Sequence, residues 1–218
     1  MERSEKLVSR ESSVLVIVDV QEAFLRPIKV REQILENILL LIRVAQRLDV
    51  PLLATTQNAG KLGALSPTIL STMGDCPVID KLCFSCMASE PFAQRMQATG
   101  RAQVVLVGVE AHICVMQTAL DMLKAGYSVH VPYDAVASRS KRDWKYALLR
   151  MASSGVVVST VEAVVYEWLH EAGTDSFREV LPLLKSHNQQ RFRAEGLEEE
   201  EDEHAQGMPP TSETDSAE

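Results

Sequence analysis

Short apolar runs alternate along this chain with longer segments whose apolar residues recur every three or four positions, and this alternation constrains the fold most. The first run, residues 14–18, is continuously apolar and rich in β-branched side chains, which is typical of a strand buried on both faces of a parallel sheet. Similar runs lie at 52–56, 78–81, 104–109, 128–132 and 156–159. Helical spacing predicts helices at about 30–48, 88–98, 114–124, 141–153, 161–170 and 176–184.

The repeated order of strand, helix and strand predicts an α/β fold: a three-layer, Rossmann-like open sheet, mostly parallel, of about six strands with helices on both faces. Sheets of this kind bind ligands at the carboxyl ends of their strands. The sequence predicts an N-terminal extension at 1–12, one folded domain at 13–186 and a disordered acidic tail at 187–218.

The negative charge of the chain is concentrated in that tail. Residues 187–218 hold ten Asp and Glu residues against two Arg, which accounts for the whole formal net charge of −8. The remaining residues balance, with 20 basic and 20 acidic side chains. A folded part without basic excess disfavours nucleic acid as a partner.

The sequence has no apolar run long enough for a membrane span and no signal-type start, so we expect no membrane contact. Four irregularly spaced cysteines do not suggest a disulfide framework, which favours a reducing compartment and free thiols. We expect a cytoplasmic protein, with mitochondria or the nucleus as alternatives.

Polar residues follow three of the predicted strands at the edge where ligands bind. Asp19 follows the first strand, Lys81 ends the third, and Cys114 lies where the strand at 104–109 gives way to a helix. The free N–H groups and dipole of a helix N-terminus favour a thiolate, and a nearby lysine favours it further. Asp19 is placed to accept the thiol proton, and the N–H groups to hold an oxyanion.

Each of these residues, taken singly, also has a simpler interpretation. Cys114 would be a small buried hydrophobe, Asp19 a turn residue and Lys81 a partly exposed strand end. Their occurrence together at three strand ends favours catalysis. The C-x-x-C pair of Cys83 and Cys86 stands alone, and is weak support for either a zinc site or a redox site.

Three ordered motifs resemble those of the isochorismatase-like hydrolases, especially the small isochorismatase domain-containing proteins. The first is VDVQ at 18–21 with Phe24, the second is IDK at 79–81 followed by CFS at 83–85, and the third is GVEAHICV at 108–115 followed by QTALD at 117–121. The resemblance spans about residues 13–184.

The resemblance implies a catalytic triad with Asp19 as general base, Lys81 as charge partner and Cys114 as nucleophile. It also implies a cis peptide between Val109 and Glu110, and an oxyanion hole formed by the backbone N–H groups of Glu110 and Cys114. We expect five residues to line a pocket for a small-molecule substrate: Gln21, Phe24, Gln57, Phe84 and His112. Core packing is an alternative role for the two phenylalanines, and a simple turn role is an alternative for the histidine.

Two departures from the family narrow the reaction. Members that hydrolyse the isochorismate vinyl ether typically lack the cysteine, so the retained Cys114 favours cleavage of an amide, ureido or nitrile-like C–N bond. Nicotinamidases of the family bind a metal through an Asp-x-His pair after the second strand, whereas residues 55–60 here read TTQNAG. We therefore expect no metal and no cofactor.

Two other functions remain open from the sequence. One is a catalytically silent scaffold that binds a protein partner, with the acidic tail as a recruiting segment. The other is a ribonuclease, because some relatives carry that label, although the neutral body argues against it. By resemblance alone we expect a homo-oligomer, either a dimer or a tetramer.

Overall fold

The sheet lies at the centre of the fold and all its recorded pairings are parallel. The computed structural model describes residues 3–195, without the side chains of residue 190 and residues 192–195. The sheet has seven strands in the order β3-β2-β1-β4-β5-β7, and β6 pairs with β4. The strands are β1 Ser13–Val18, β2 Leu52–Gln57, β3 Val78–Lys81, β4 Gln103–Val109, β5 Ser128–Pro132, β6 Val136–Ala137 and β7 Val157–Ser159.

Helices cover both faces of this sheet, which confirms the predicted three-layer α/β fold. Two shorter turns of 3-10 helix lie at Cys86–Ala88 and Tyr133–Ala135. The α-helices are α1 Glu22–Leu25, α2 Arg31–Arg47, α3 Ala59–Leu62, α4 Pro67–Met73, α5 Glu90–Ala98, α6 Met116–Lys124, α7 Lys141–Ser153, α8 Val161–Leu169 and α9 Asp175–Glu195.

Alternate residues of the central strands supply two separate cores. Leu15 and Ile17 pack with α2, α8 and α9 on one face of the sheet, whereas Val14 and Val16 pack with α5, α6 and α7 on the other. Successive side chains of a strand point to opposite faces, so a run that is apolar at every position must be covered on both sides. The continuous apolar run predicted this arrangement correctly.

The sequence did not predict β6, which has two residues and therefore no periodicity to detect. It also did not predict α1, α3 and α4, and it began the fifth helix at residue 88, where the structure has a 3-10 turn before Glu90. These short elements are decided by local turns and contacts rather than by an apolar stripe.

The last helix continues past its predicted end at residue 184. Residues 187–195 are helical where the sequence predicted the start of a disordered tail. These residues are polar, so they lack the apolar spacing from which a helix is predicted. The helix is stabilised by contacts with distant segments: Val180 and Leu184 are buried, and the Asn188 amide donates to Glu162 Oε1 at 3.2 Å. The rest of the predicted acidic tail, residues 196–218, lies outside the described residues.

The start of the chain packs on the domain. Val8 is buried, its N–H donates to Glu167 Oε2 at 2.7 Å, and the Ser9 N–H donates to Gln103 Oε1 at 2.7 Å. The extension predicted at 1–12 is thus tied to α8 and β4 over its described part. No helix between residues 3 and 195 is both long and apolar enough to cross a membrane.

Candidate active site

The carboxyl ends of β1, β3 and β4 bring Asp19, Lys81 and the segment that leads to Cys114 to one edge of the sheet. β2 lies between β1 and β3, so the Lys81 side chain extends across the end of β2 to reach Asp19. Lys81 Nζ lies 2.7 Å from Asp19 Oδ2, and both side chains have 0% of their surface exposed. A fully buried ion pair loses the hydration of both charges, so it needs further partners on each side.

Asp19 obtains its second partner from β2. Its carboxylate accepts a hydrogen bond from Thr55 Oγ1 to Oδ1 at 2.8 Å, while Lys81 holds the other oxygen. The backbone of Asp19 has a positive φ of 52°, a left-handed conformation that Asp tolerates better than most residues. This conformation ends β1 and leaves the carboxylate fixed at both oxygens.

The ammonium of Lys81 has all three of its donors engaged within the protein. It donates to Asp19 Oδ2 at 2.7 Å, to Gln57 Oε1 at 2.9 Å and to the Cys83 carbonyl at 3.3 Å. Burial acts to lower the pKa of Lys81, but the Asp19 carboxylate and the neighbouring thiols outweigh it and raise the pKa above its ordinary value. The lysine therefore remains charged.

Gln21 and Gln57, both predicted as pocket residues, use their amides inside the protein. Gln21 Oε1 accepts from the Gln57 N–H at 2.7 Å, and Gln21 Nε2 donates to the Gly63 carbonyl at 2.6 Å. Gln57 Nε2 donates to the Leu82 carbonyl at 2.8 Å, which leaves its oxygen for Lys81. Gln57 therefore orients the lysine, and Gln21 fixes the end of β2 that carries Gln57.

Cys114 lies in a π-helical turn at Ala111–Val115, and α6 begins after it at Met116. The thiol is buried, with 4% of the residue exposed. Burial first, and the charge and hydrogen bonding of Asp19 next, raise the pKa of Cys114 well above its ordinary value. Lys81 is already neutralised by Asp19, so it does not offset the loss of water around the sulfur, and burial opposes the thiolate that the helix N-terminus favours.

The turn before Cys114 contains a cis peptide between Val109 and Glu110, as the resemblance predicted. The Glu110 carboxylate accepts from the Arg139 N–H at 2.9 Å, and His112 Nδ1 lies 2.8 Å from Ser138 Oγ. The segment that follows β6 therefore holds this turn at two points. The oxyanion hole at the N–H groups of Glu110 and Cys114 remains a prediction.

Gly108 is required where β4 passes closest to β1. Its φ is +119°, and a Cβ at this position would lie 2.1 Å from the Val18 carbonyl oxygen. Any side chain there would force β4 away from the residue that precedes Asp19. Gly108 therefore allows the close approach of β4 to the end of β1.

The sequence did not indicate the roles of Thr55, Cys86 and Thr118. Cys86 is fully buried, its Sγ lies 3.7 Å from Thr55 Oγ1, and its N–H donates to Thr118 Oγ1 at 2.9 Å. Thr118 follows Cys114 by four positions, a helical spacing that could have suggested a shared face. Burial raises the pKa of Cys86 to about 11, so this second thiol is also protonated near neutral pH.

The remaining predicted residues lie around this centre in different environments. Phe24 is half-buried and packs against the core under α2, whereas Phe84 is 52% exposed beside an even more exposed Leu82. All four cysteines are free thiols. Within residues 3–195 there is no group of three or more His, Cys, Asp or Glu side chains arranged to hold a metal ion.

The raised pKa of Cys114 leads to a prediction for its alkylation. Below the titration range of ordinary thiols, near about 8.5, iodoacetamide should alkylate Cys114 more slowly in the folded chain than in the urea-unfolded chain, and the folded-state rate should still rise above pH 9. Mass spectrometry of the Cys114 peptide over a pH series measures this. Faster alkylation in the folded chain at pH 7 would contradict the raised pKa and indicate that Cys114 is a thiolate.

Comparison with known proteins places this geometry in a family. The family model named Isochorismatase domain matches residues 13–163, which include Asp19, Lys81 and Cys114. The chain belongs to the isochorismatase family. Membership indicates a hydrolase, and the matched residues run from the start of β1 into α8.

Two relatives of the isochorismatase family match most of the chain. Isochorismatase domain-containing protein 2A of Mus musculus is 38% identical over 178 residues, which cover 80% of this chain and 84% of that protein. The secreted isochorismatase effector Isc1 of Phytophthora sojae is 35% identical over 182 residues, which cover 81% and 86%. The solved structure of the MAR1 ribonuclease from Caenorhabditis elegans superimposes with a TM-score of 0.78 at 34% identity, covering 82% of this chain and 92% of that one.

Proposed function

We propose that this isochorismatase-family protein is a cysteine hydrolase that cleaves a C–N bond in a small amide, ureido or nitrile-like compound. The observation that carries the proposal is the buried contact of 2.7 Å between Lys81 and Asp19, with the buried thiol of Cys114 near enough to the same carboxylate for Asp19 to raise the pKa of the thiol. A buried nucleophile beside a fixed base is the arrangement that covalent catalysis requires.

In the proposed first step, Cys114 Sγ attacks the carbonyl carbon while its proton moves to the Asp19 carboxylate. The negative charge on the carbonyl oxygen is held by the N–H groups of Glu110 and Cys114. Protonated Asp19 then gives the proton to the leaving nitrogen, the C–N bond breaks, and a thioester remains on Cys114. A nitrile would instead give a thioimidate.

In the second step, water attacks the thioester carbon and Asp19 takes a proton from the water. The C–S bond breaks, the acid leaves, and the proton returns from Asp19 to the sulfur. Lys81 stays charged throughout, because its pKa is raised and its donors are held by Asp19, Gln57 and Cys83. Its role is to hold the Asp19 carboxylate in position and to balance its charge between proton transfers.

The substrate-facing part of the site is proposed from the predicted pocket residues whose side chains are partly exposed. Phe84 offers an exposed ring next to Lys81, and His112 is held by Ser138 with 22% of its side chain exposed. Gln21 and Gln57 act behind them as positioning residues, and Phe24 supports the wall. We further propose a homo-oligomer in the cytoplasm that uses no metal or cofactor.

The C. elegans relative named a ribonuclease makes RNA cleavage the second candidate function. Residues 1–186 here carry no net charge, and binding of RNA backbones depends on clustered basic groups. Purified protein should therefore leave a single-stranded RNA intact. Cleavage that co-purifies with the protein and disappears in Cys114→Ala would favour the ribonuclease instead.

The test of the proposed hydrolase is a search for the covalent intermediate. The full chain is incubated with a library of small amides, ureido compounds and nitriles, quenched in acid and measured by mass spectrometry. We expect a mass increase equal to the acyl or imidoyl group on the Cys114 peptide, and no increase on that peptide in Cys114→Ala. A compound that is hydrolysed equally by both proteins, without an adduct, would contradict the proposal.

A further inference from the structure

A cavity of about 580 Å³ lies beside the active site, between the start of α2, residues 133–141 and the end of α9. None of Asp19, Lys81 and Cys114 lines it. Its volume falls in the range of pockets that hold small organic ligands, about 300–1,000 Å³. The proposed hydrolysis makes no use of this cavity.

The charged side chains around the cavity are predominantly basic. Its lining contains four cationic residues, Lys29, Arg139, Lys141 and Arg191, against two acidic ones, Glu36 and Asp134, and Arg139 Nε also lies 3.7 Å from the Glu110 carboxylate. Asp134 Oδ1 accepts from the Val161 N–H at 2.9 Å, so one of its oxygens is bonded within the protein. Burial raises the pKa of Asp134. The cavity is therefore suited to an anion.

One wall of the cavity is aromatic and rigidly held. The rings of Tyr133 and Trp144 lie 6.1 Å apart at an angle of 59°. Trp144 Nε1 donates to the Val136 carbonyl at 3.0 Å, which fixes the indole ring at the edge of the sheet. A flat apolar ring packs well against such a wall.

We propose that this cavity binds a small aromatic anion, with the ring against Trp144 and Tyr133 and a carboxylate or phosphate toward Lys29, Arg139 and Lys141. Arginine and lysine together recognise both anionic groups. This site is separate from the proposed catalytic centre, and the proposal does not depend on any hydrolytic activity.

The same wall holds the turn that carries Cys114. Ser138 and Arg139 line the cavity, and they also bond His112 and Glu110 at 2.8 and 2.9 Å. A bound anion that holds this segment in place should also hold the turn in place. Occupancy of the cavity should therefore slow the alkylation of Cys114, because a thiol that is 4% exposed meets the reagent only when the structure around it moves.

Tryptophan fluorescence of the full chain tests binding directly. The chain has two tryptophans, and Trp168 is only 1% exposed with its indole bonded to Ser13, so a change in emission reports on Trp144. Benzoate and phenyl phosphate are titrated as two probes, with benzyl alcohol as the uncharged ring and inorganic phosphate as the anion without a ring. We expect one or both aromatic anions to saturate the signal, and neither control to do so.

Matched lysine variants locate the site. Lys29→Gln and Lys141→Gln should each weaken binding about tenfold, whereas Lys145→Gln, an exposed position on the same helix that does not line the cavity, should leave it unchanged. Saturating probe should slow iodoacetamide alkylation of Cys114 several-fold. No fluorescence response up to about 10 mM, equal binding of benzyl alcohol, or equal loss in Lys145→Gln would overturn the proposal.

Discussion

Replacement of Cys114 by alanine is expected to lower kcat/KM for the substrate found by adduct mapping by about 10³-fold or more, because it removes the nucleophile that forms the proposed covalent intermediate. Cys86 cannot take over as nucleophile, since it is fully buried between Thr55 and Thr118 and burial keeps its thiol protonated. Steady-state kinetics of the full chain measure the loss.

The fold should survive this change. Cys114 is a small buried side chain without charge in its resting state, so its truncation should cost about 1 kcal/mol of unfolding free energy. Cys76→Ala provides the matched control, because that thiol lies away from the triad and bonds the Leu52 carbonyl at 3.2 Å. Turnover that persists in Cys114→Ala would exclude the cysteine mechanism, and an absence of any turnover in the native chain would favour the scaffold.

Replacement of Lys81 by methionine should destabilise the protein by about 3–5 kcal/mol, because it leaves the buried carboxylate of Asp19 without its counter-charge. Thr55 would then supply the remaining side-chain hydrogen bond to Asp19, at 2.8 Å to Oδ1. Urea unfolding at pH 7 measures the change. Activity should also be lost, since Asp19 would lose the partner that holds Oδ2 in place to accept the thiol proton.

The double variant Asp19→Asn with Lys81→Met separates stability from catalysis. It removes both charges, so it should recover most of the lost unfolding free energy while remaining inactive. If the double variant is no more stable than Lys81→Met alone, the unpaired Asp19 carboxylate does not cause the loss of stability.

The pH dependence of this contribution has a defined sign. The pKa of Lys81 is raised in the folded state, so the stabilisation is fully present below the unfolded value of about 10.4 and is lost as the pH rises through the folded pKa. The native chain should therefore lose unfolding free energy relative to the double variant as the pH rises above about 10.4. A loss relative to the double variant on acidification, with none at alkaline pH, would show the opposite linkage.

The order of strands along the chain was enough to predict which residues meet at the site. Asp19 follows β1, Lys81 ends the edge strand β3 and the segment before Cys114 follows β4, and the carboxyl ends of parallel strands share one edge of the sheet. What it could not predict was the position of β2 between β1 and β3, which brings Thr55 to Asp19 and Gln57 to Lys81. Those partners depend on strand order, which is not encoded in any local pattern.

The sequence by itself determined the α/β architecture, because continuously apolar strands must be buried on both faces. It also determined that Asp19, Lys81 and Cys114 lie at or after the carboxyl ends of strands, because a strand's apolar run ends where the chain becomes polar. Only the tertiary structure decided the protonation of Cys114 and the extent of α9. Both depend on contacts between distant segments: the thiol is surrounded by apolar residues and faces an Asp19 already paired with Lys81, and the polar end of α9 is held by its neighbours. Burial and contacts between distant segments set the pKa of Cys114 and the stability of the end of α9, whereas local sequence sets only the preference of each segment for helix, strand or turn.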